Sequence, residues 1–183
     1  MLVNLYGKTG SFATKLDFDL STATNGDSDV LGNDSLWIRP AQPNSLFYKN
    51  GWATGARVDS LGARYVVPVG ASILPDLGAT SPNAQLQFAD GKLTSPQTRN
   101  LDISTSNVFT NRSTPRDNGL KLTLTTGTGQ FNGNFTHTNT QATAFKGVIL
   151  QEGANAKGFG YFLSTASTSS PGQSGGVTLL PHP

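Results

Sequence analysis

The chain has 183 residues, no cysteine and 13% charged residues, against roughly 25% in an average soluble protein. The missing thiols exclude a disulfide scaffold, a zinc ribbon, an iron–sulfur centre and thiol catalysis. No apolar run approaches the roughly 20 residues of a membrane-spanning helix, and a net charge of +2, scattered along the chain, lacks the footprint of a nucleic-acid binder.

Helical periodicity is nearly absent, because Gly, Pro, Asn or Thr interrupts most windows, and period-two alternation recurs instead. Val3 and Leu5 alternate with Asn4, and Thr9-Gly10 leads on to Phe12 and Leu16. Met1-Leu2-Val3-Asn4 begins no signal peptide, since a charged start and an apolar stretch are both missing; a removed signal or an excised fragment is the expectation. Asn25, Asp27, Asp29, Asn33 and Asp34 then place carboxylate and amide oxygens in a Gly-containing stretch. Calcium takes roughly six to eight hard oxygen ligands, and this stretch could supply them, although no Glu closes it in the EF-hand manner. The other reading is a solvated loop, where Asp and Asn bond their own backbone.

Trp37, Tyr48 and Trp52, with Phe47 between and Asn50 in the Asn50-Gly51 turn, follow. Flat aromatic faces beside amides suit sugar rings, so Trp37, Tyr48, Asn50 and Trp52 are carbohydrate-binding candidates, Trp52 foremost. The alternative is that Trp37 and Phe47 are core residues of successive strands. Asn25-Gly26, Asn50-Gly51, Asp90-Gly91 and Asn118-Gly119 mark hairpin turns, because these pairs tolerate positive φ. Leu101 and Ile103, then Leu120, Leu122 and Leu124, then Phe131, Gly133 and Phe135 alternate with polar residues, as strands with one wet face do.

Catalytic signals are weak. His137 continues the Phe131–Phe135 face at a strand end, His182 lies in the tail, and neither has a second ligand at metal spacing. Gly172-Gln173-Ser174-Gly175-Gly176 fits the nucleophile-elbow pattern. A serine nucleophile needs a base and an orienting carboxylate, yet no Asp follows Asp117, and a strand at 177–180 stands where the elbow requires a helix. Glu152 is the only glutamate, and nothing selects a pair of carboxylates for glycoside hydrolysis. The expectation is that the protein is not an enzyme.

An internal repeat organises the chain. Val3 to Phe12 aligns with Leu122 to Phe131, Gly62 to Val67 with Gly158 to Leu163, and Gly70 to Pro75 with Gly176 to Pro181. Residues 1–78 then read as the back half of one β unit and 79–183 as a second unit, together one compact fold. An unpaired strand edge near Met1 is a consequence.

Thr128-Gly129-Gln130-Phe131-Asn132-Gly133-Asn134-Phe135, Phe145 to Gln151, Gly158 to Leu163 and Gly176 to Pro181 resemble the C-terminal β-rich modules of large exported proteins of Verrucomicrobia and Planctomycetes. Leu5 to Phe12 and Leu36 to Pro40 resemble a preceding copy. The resemblance implies an extracellular accessory module without catalytic residues.

The expected fold is all-β, mainly antiparallel, internally duplicated and barrel-like, with a β-sandwich as the alternative. Its core comprises Leu5, Phe12, Leu16, Trp37, Tyr65, Val67, Ile73, Leu122, Leu124, Phe131, Phe135, Val148, Leu150, Tyr161, Leu163 and Leu179, with Gly133 and Gly147 allowing the bending that closure needs. The expected function is a non-catalytic structural or adhesive module of an exported or cell-surface bacterial protein; the alternative is a carbohydrate- or calcium-binding accessory module. No cofactor is expected beyond a calcium ion at the acidic stretch. Expected partners are neighbouring β domains, a second copy through a strand edge, or a glycan, with no nucleic acid and no membrane span.

Overall fold

The computed structural model describes residues 1–18, 30–138, 141–151 and 156–183. The fold is all-β and antiparallel throughout. The chain divides into two compact units, Met1–Arg64 with Ala166–Pro171, and Tyr65–Thr165 with Gly172–Pro183.

The first unit is an open sheet of β1 (Leu2–Leu5), β2 (Gly10–Ala13), β3 (Asp17–Phe18), β4 (Val30–Arg39) and β5 (Trp52–Gly62). Its order is β1-β2-β4-β3, with β5 on the other side of β4. The β4–β5 register shifts between Gly32 and Ser35 and again between Trp37 and Arg39. Such bulges bend a strand and increase its twist. Among the described residues, no apolar side chain of this unit is fully buried. Leu5, Phe12, Leu16 and Trp37, expected in the core, are half-buried.

The second unit holds β6 (Ala84–Asp90), β7 (Gln97–Ile103), β8 (Phe109–Asn111), β9 (Lys121–Thr125), β10 (Gln130–Thr136), β11 (Ala142–Leu150), β12 (Lys157–Leu163) and β13 (Ser174–Pro181). Their order is β8-β7-β6-β13-β12-β11-β10-β9: one meander runs outward from β6, and the other returns from β9 to lay β13 beside β6. The sheet curls into a nearly closed, barrel-like form. Phe88 on β6 stacks on Phe135 of β10 with ring centroids 3.9 Å apart, although three strands separate them in the sheet. Only a rolled sheet lets those two inner faces touch.

Glycines on the inner face make room for that aromatic core. A Cβ on Gly133 would lie 1.8 Å from the Lys121 carbonyl oxygen and 2.7 Å from the Phe145 ring. One on Gly147 would lie 2.3 Å from both the Phe131 ring and the Phe159 carbonyl oxygen. Gly175 gives the same room to Phe162. What Gly133 and Gly147 provide is therefore space for the neighbouring rings and backbone. Gly133→Ala is expected to lose about 1–3 kcal/mol by overpacking, read as a lower thermal midpoint. An unchanged midpoint would show that the neighbouring strand yields freely.

The expected boundary after residue 78 falls instead after Arg64. Residues 65–78 carry no strand, and they bury Ile73 and Leu74 completely in the core of the second unit, with Tyr65 and Leu77 packed against it. Tyr65 donates its hydroxyl to the Thr126 carbonyl, and the Ile73 N–H donates to Asn107 Oδ1 at 2.6 Å. The segment thus plugs the end of the barrel where the β7–β8 and β9–β10 turns lie.

This plug undoes the duplication. The first aligned blocks do both form hairpins, but out of step: Leu5 pairs Gly10, whereas Leu124 pairs Phe131. In the other two blocks, β12 and β13 are matched to residues 63–67 and 70–75, which are not strand. A glycine followed by apolar residues fits a strand and a core-filling plug equally well.

Four expected core residues, Val67, Val148, Tyr161 and Leu163, are exposed. On β11 and β12 apolar residues occupy consecutive positions, so alternation alone cannot choose the buried face. Pairing chose Phe145, Ile149 and Phe162. Ile73, Leu122, Phe131, Phe135 and Leu179 are buried as expected, while Leu124 and Leu150 are half-buried.

Candidate functional site

The predicted aromatic group does assemble, but against itself. Arg39 and Trp52 are cross-strand partners on β4 and β5, and Trp37 shares their face by the two-residue period. Trp37 meets Trp52 edge-on at 4.7 Å, and Tyr48 meets Trp52 at 5.8 Å. The Arg39 guanidinium lies 5.2 Å from the Tyr6 ring, 5.6 Å from Trp52 and 5.9 Å from Tyr48, and it donates to the Phe47 carbonyl at 2.9 Å. Trp52 is therefore a half-buried residue whose ring packs against Trp37 and the Arg39 guanidinium. Asn50 sits in the exposed turn that Gly51 closes at φ +56°.

Of the predicted calcium ligands, Asn25, Asp27 and Asp29 lie outside the described residues. Asn33 and Asp34 form the bulge of β4. The Asp34 carboxylate accepts from Arg57 at 2.9 Å, and its N–H donates to Asp59 Oδ1 at 3.0 Å. Asp34 is thus ion-paired with Arg57 at the surface. Among the described residues, no three acidic or histidine side chains converge as a metal site would require.

Groups with catalytic potential are engaged internally. His137 is buried beside the Phe135 and Phe162 rings, with Nε2 3.0 Å from the Gly91 carbonyl oxygen and Nδ1 3.0 Å from Thr138 Oγ1. Ser174 begins β13 and pairs with Leu163, so the elbow-like sequence enters a strand. Glu152 lies outside the described residues.

Asp117 is the most enclosed carboxylate among the described residues. It sits in the connection from β8 to β9, the two outer strands of the curled sheet. Its Oδ2 accepts from Arg99 Nε at 2.8 Å and from the Thr136 N–H at 3.1 Å. Its Oδ1 accepts from Thr136 Oγ1 at 2.5 Å and from the Gly119 N–H at 2.9 Å. Burial alone would raise this carboxyl, but the hydrogen bonds from Thr136 and Arg99 outweigh it and hold it below the usual carboxylate range. Since Arg99 is on β7 and Thr136 on β10, the group joins the strands next to the two sheet edges. A polar cleft of about 510 Å³ lies over it.

The outer face of β10–β12 presents a different surface. Phe159 and Tyr161 stand two residues apart on β12, 42% and 45% exposed, about 7 Å apart along the strand. Val148 faces Phe159 across β11, and Lys146 faces Tyr161. Gln130 and Asn132 on β10 continue the two rows. The Lys146 ammonium lies 5.3 Å from the Tyr161 ring centroid. Between the rows runs a shallow trough of about 640 Å³ with the backbone of Gly147 and Gly160 in its floor.

Here two aromatic rings meet two amides, the combination that the Trp37–Trp52 group was expected to offer, and an ammonium besides. The sequence carried one sign of it. In Gly158-Phe159-Gly160-Tyr161 the glycines occupy the inner face, which turns both rings to the outside. Reading that sign requires knowing that the Phe131 ring of β10 fills the space at Gly158 and that the β11 backbone lies against Gly160.

The chain matches no protein family, no curated protein and no solved structure.

Proposed function

We propose that the chain is a non-catalytic adhesive β module that holds saccharide on the outer face of β10–β12. The carrying observation is the exposed pair Phe159 and Tyr161, flanked by Gln130, Asn132 and Lys146. Solvent-exposed apolar patches rimmed by polar groups mark interaction sites. Here the rings suit the C–H faces of a pyranose, and the amides and ammonium suit its hydroxyls. The engagement of Asp117 and His137 in internal hydrogen bonds supports a role without catalysis. An exported or cell-surface bacterial parent protein, with neighbouring β domains as partners, accords with the family resemblance and the charge-poor composition.

A glycan array followed by calorimetry tests the reading. Tyr161→Ala is expected to weaken binding about ten-fold, since about 1.4 kcal/mol corresponds to that factor, whereas Trp52→Ala should leave the affinity of the folded protein unchanged. Absence of any glycan binding by the parent chain, or equal loss in both variants, rejects the outer face as the site.

A further inference from the structure

We infer that β1 pairs with β1 of a second copy about a twofold axis at Val3, joining two first units into one sheet. This stands independently of the saccharide reading.

The hydrogen-bond phase of β1 determines which groups face the edge. Met1 and Thr14 exchange both backbone bonds, Thr14 N to Met1 O at 3.0 Å and Met1 N to Thr14 O at 2.6 Å. With the register Leu2↔Ala13 to Leu5↔Gly10, antiparallel alternation directs the N–H and C=O of Val3 and Leu5 inward to β2. Those of Leu2 and Asn4 point outward, where no strand of the described residues pairs with them.

That arrangement is self-complementary. In an antiparallel pair of β1 strands, Leu2 of one copy exchanges both hydrogen bonds with Asn4 of the other, and the reverse holds by symmetry. Val3 then faces its own counterpart in a non-hydrogen-bonded pair, where side chains lie closest.

The side chains favour the same partner. Val3 is opposite Phe12, and Phe12 is opposite Trp37, so an apolar row runs to the edge and ends at Val3, still 38% exposed. The twofold continues this row with its own copy: Trp37, Phe12 and Val3, then Val3, Phe12 and Trp37. Leu2, 68% exposed, is uncovered on the other face.

Edge strands are normally guarded by charge, proline or bulges. The far strand β5 carries Arg57 and Asp59 in a bulged pairing, and among the described residues β3 is two residues long. Leu2-Val3-Asn4-Leu5 has no such guard. The seam is short, so the dimer is weak and concentration-dependent.

Sedimentation equilibrium of the 183-residue chain over a concentration series tests this. The parent mass is expected to rise toward twice the monomer. Val3→Asp and Val3→Lys should each weaken association at least ten-fold by placing like charges face to face, and an equimolar mixture of the two should restore it as a heterodimer. Asn4→Pro removes an outward N–H and no β1–β2 bond, and should also yield monomer, with circular dichroism confirming the fold of each variant. A parent that stays monomeric up to its solubility limit overturns the inference. So does a dimer indifferent to all three folded variants, or a charge mixture that fails to associate, since only a twofold at Val3 brings the two position-3 side chains together.

Discussion

Phe135→Ala is expected to lower the stability of the second unit by about 3–5 kcal/mol, the usual cost of truncating a buried phenylalanine to alanine. The ring is fully buried and stacks on Phe88 at 3.9 Å, with Phe162 edge-on at 5.0 Å and Phe145 at 6.4 Å. These partners come from β6, β12 and β11. Relaxation into the cavity is limited because the Phe145 and Phe162 rings are seated over Gly133 and Gly175. Since domains are stable by only about 5–15 kcal/mol, denaturant unfolding should show a large shift of the midpoint. The conservative Phe135→Leu should recover much of the loss. A midpoint displaced no more than by a surface substitution would refute the rolled arrangement that brings β6 against β10.

Asp117→Asn is expected to be the second large effect, about 3 kcal/mol, because removing one member of a buried ion pair leaves the other charge uncompensated. Arg99 would lose its carboxylate, and Thr136 would face an amide where its hydroxyl and N–H now donate to an anion. The pH dependence has a definite sign. The folded carboxyl is held below its unfolded value of about 3.9, so its contribution is fully present above that value and is lost as pH falls through the folded pKa. Parent and variant should therefore differ most at neutral pH and converge in acid. A difference that stays constant from neutral to strongly acidic solution would show that the charge of Asp117 is not what joins the β7 and β10 sides. Asp102, held low by Arg112 and Ser81 against the opposing effect of burial, adds to the same acid limb and remains in the variant.

Strand character was legible in the residues themselves and turn positions only in part: Asn25-Gly26 lies outside the described residues, and Asn118-Gly119 joins β8 to β9, which are not hairpin partners. Leu122 with Leu124, and Phe131 with Phe135, alternate cleanly with polar neighbours and lie on β9 and β10. Asp90-Gly91 is a turn at positive φ. The face of β12 was not legible. Tyr161-Phe162-Leu163 offers apolar residues to both sides, and a shift of one position exchanges core for surface. The candidate site follows from that choice: Phe162 went inward over Gly175, and Tyr161 with Phe159 was left outside. Trp52 shows the converse. Its sequence neighbours Asn50 and Gly51 predict exposure, but Arg39, thirteen positions earlier, is its cross-strand partner and covers the ring.

By itself, then, the sequence determined that this protein is built of short antiparallel strands, because period-two alternation and Gly-containing turns act over a few residues and need no distant partner. The tertiary structure alone decided where the units divide, that residues 65–78 plug a barrel end instead of repeating a strand, and which aromatics face water. Those outcomes rest on contacts between residues far apart in the chain, such as Phe88 with Phe135 and Ile73 with Asn107. Local pattern leaves such contacts undetermined, because a run with apolar residues on both faces does not choose its inner side, and steric fit between rings and glycines does.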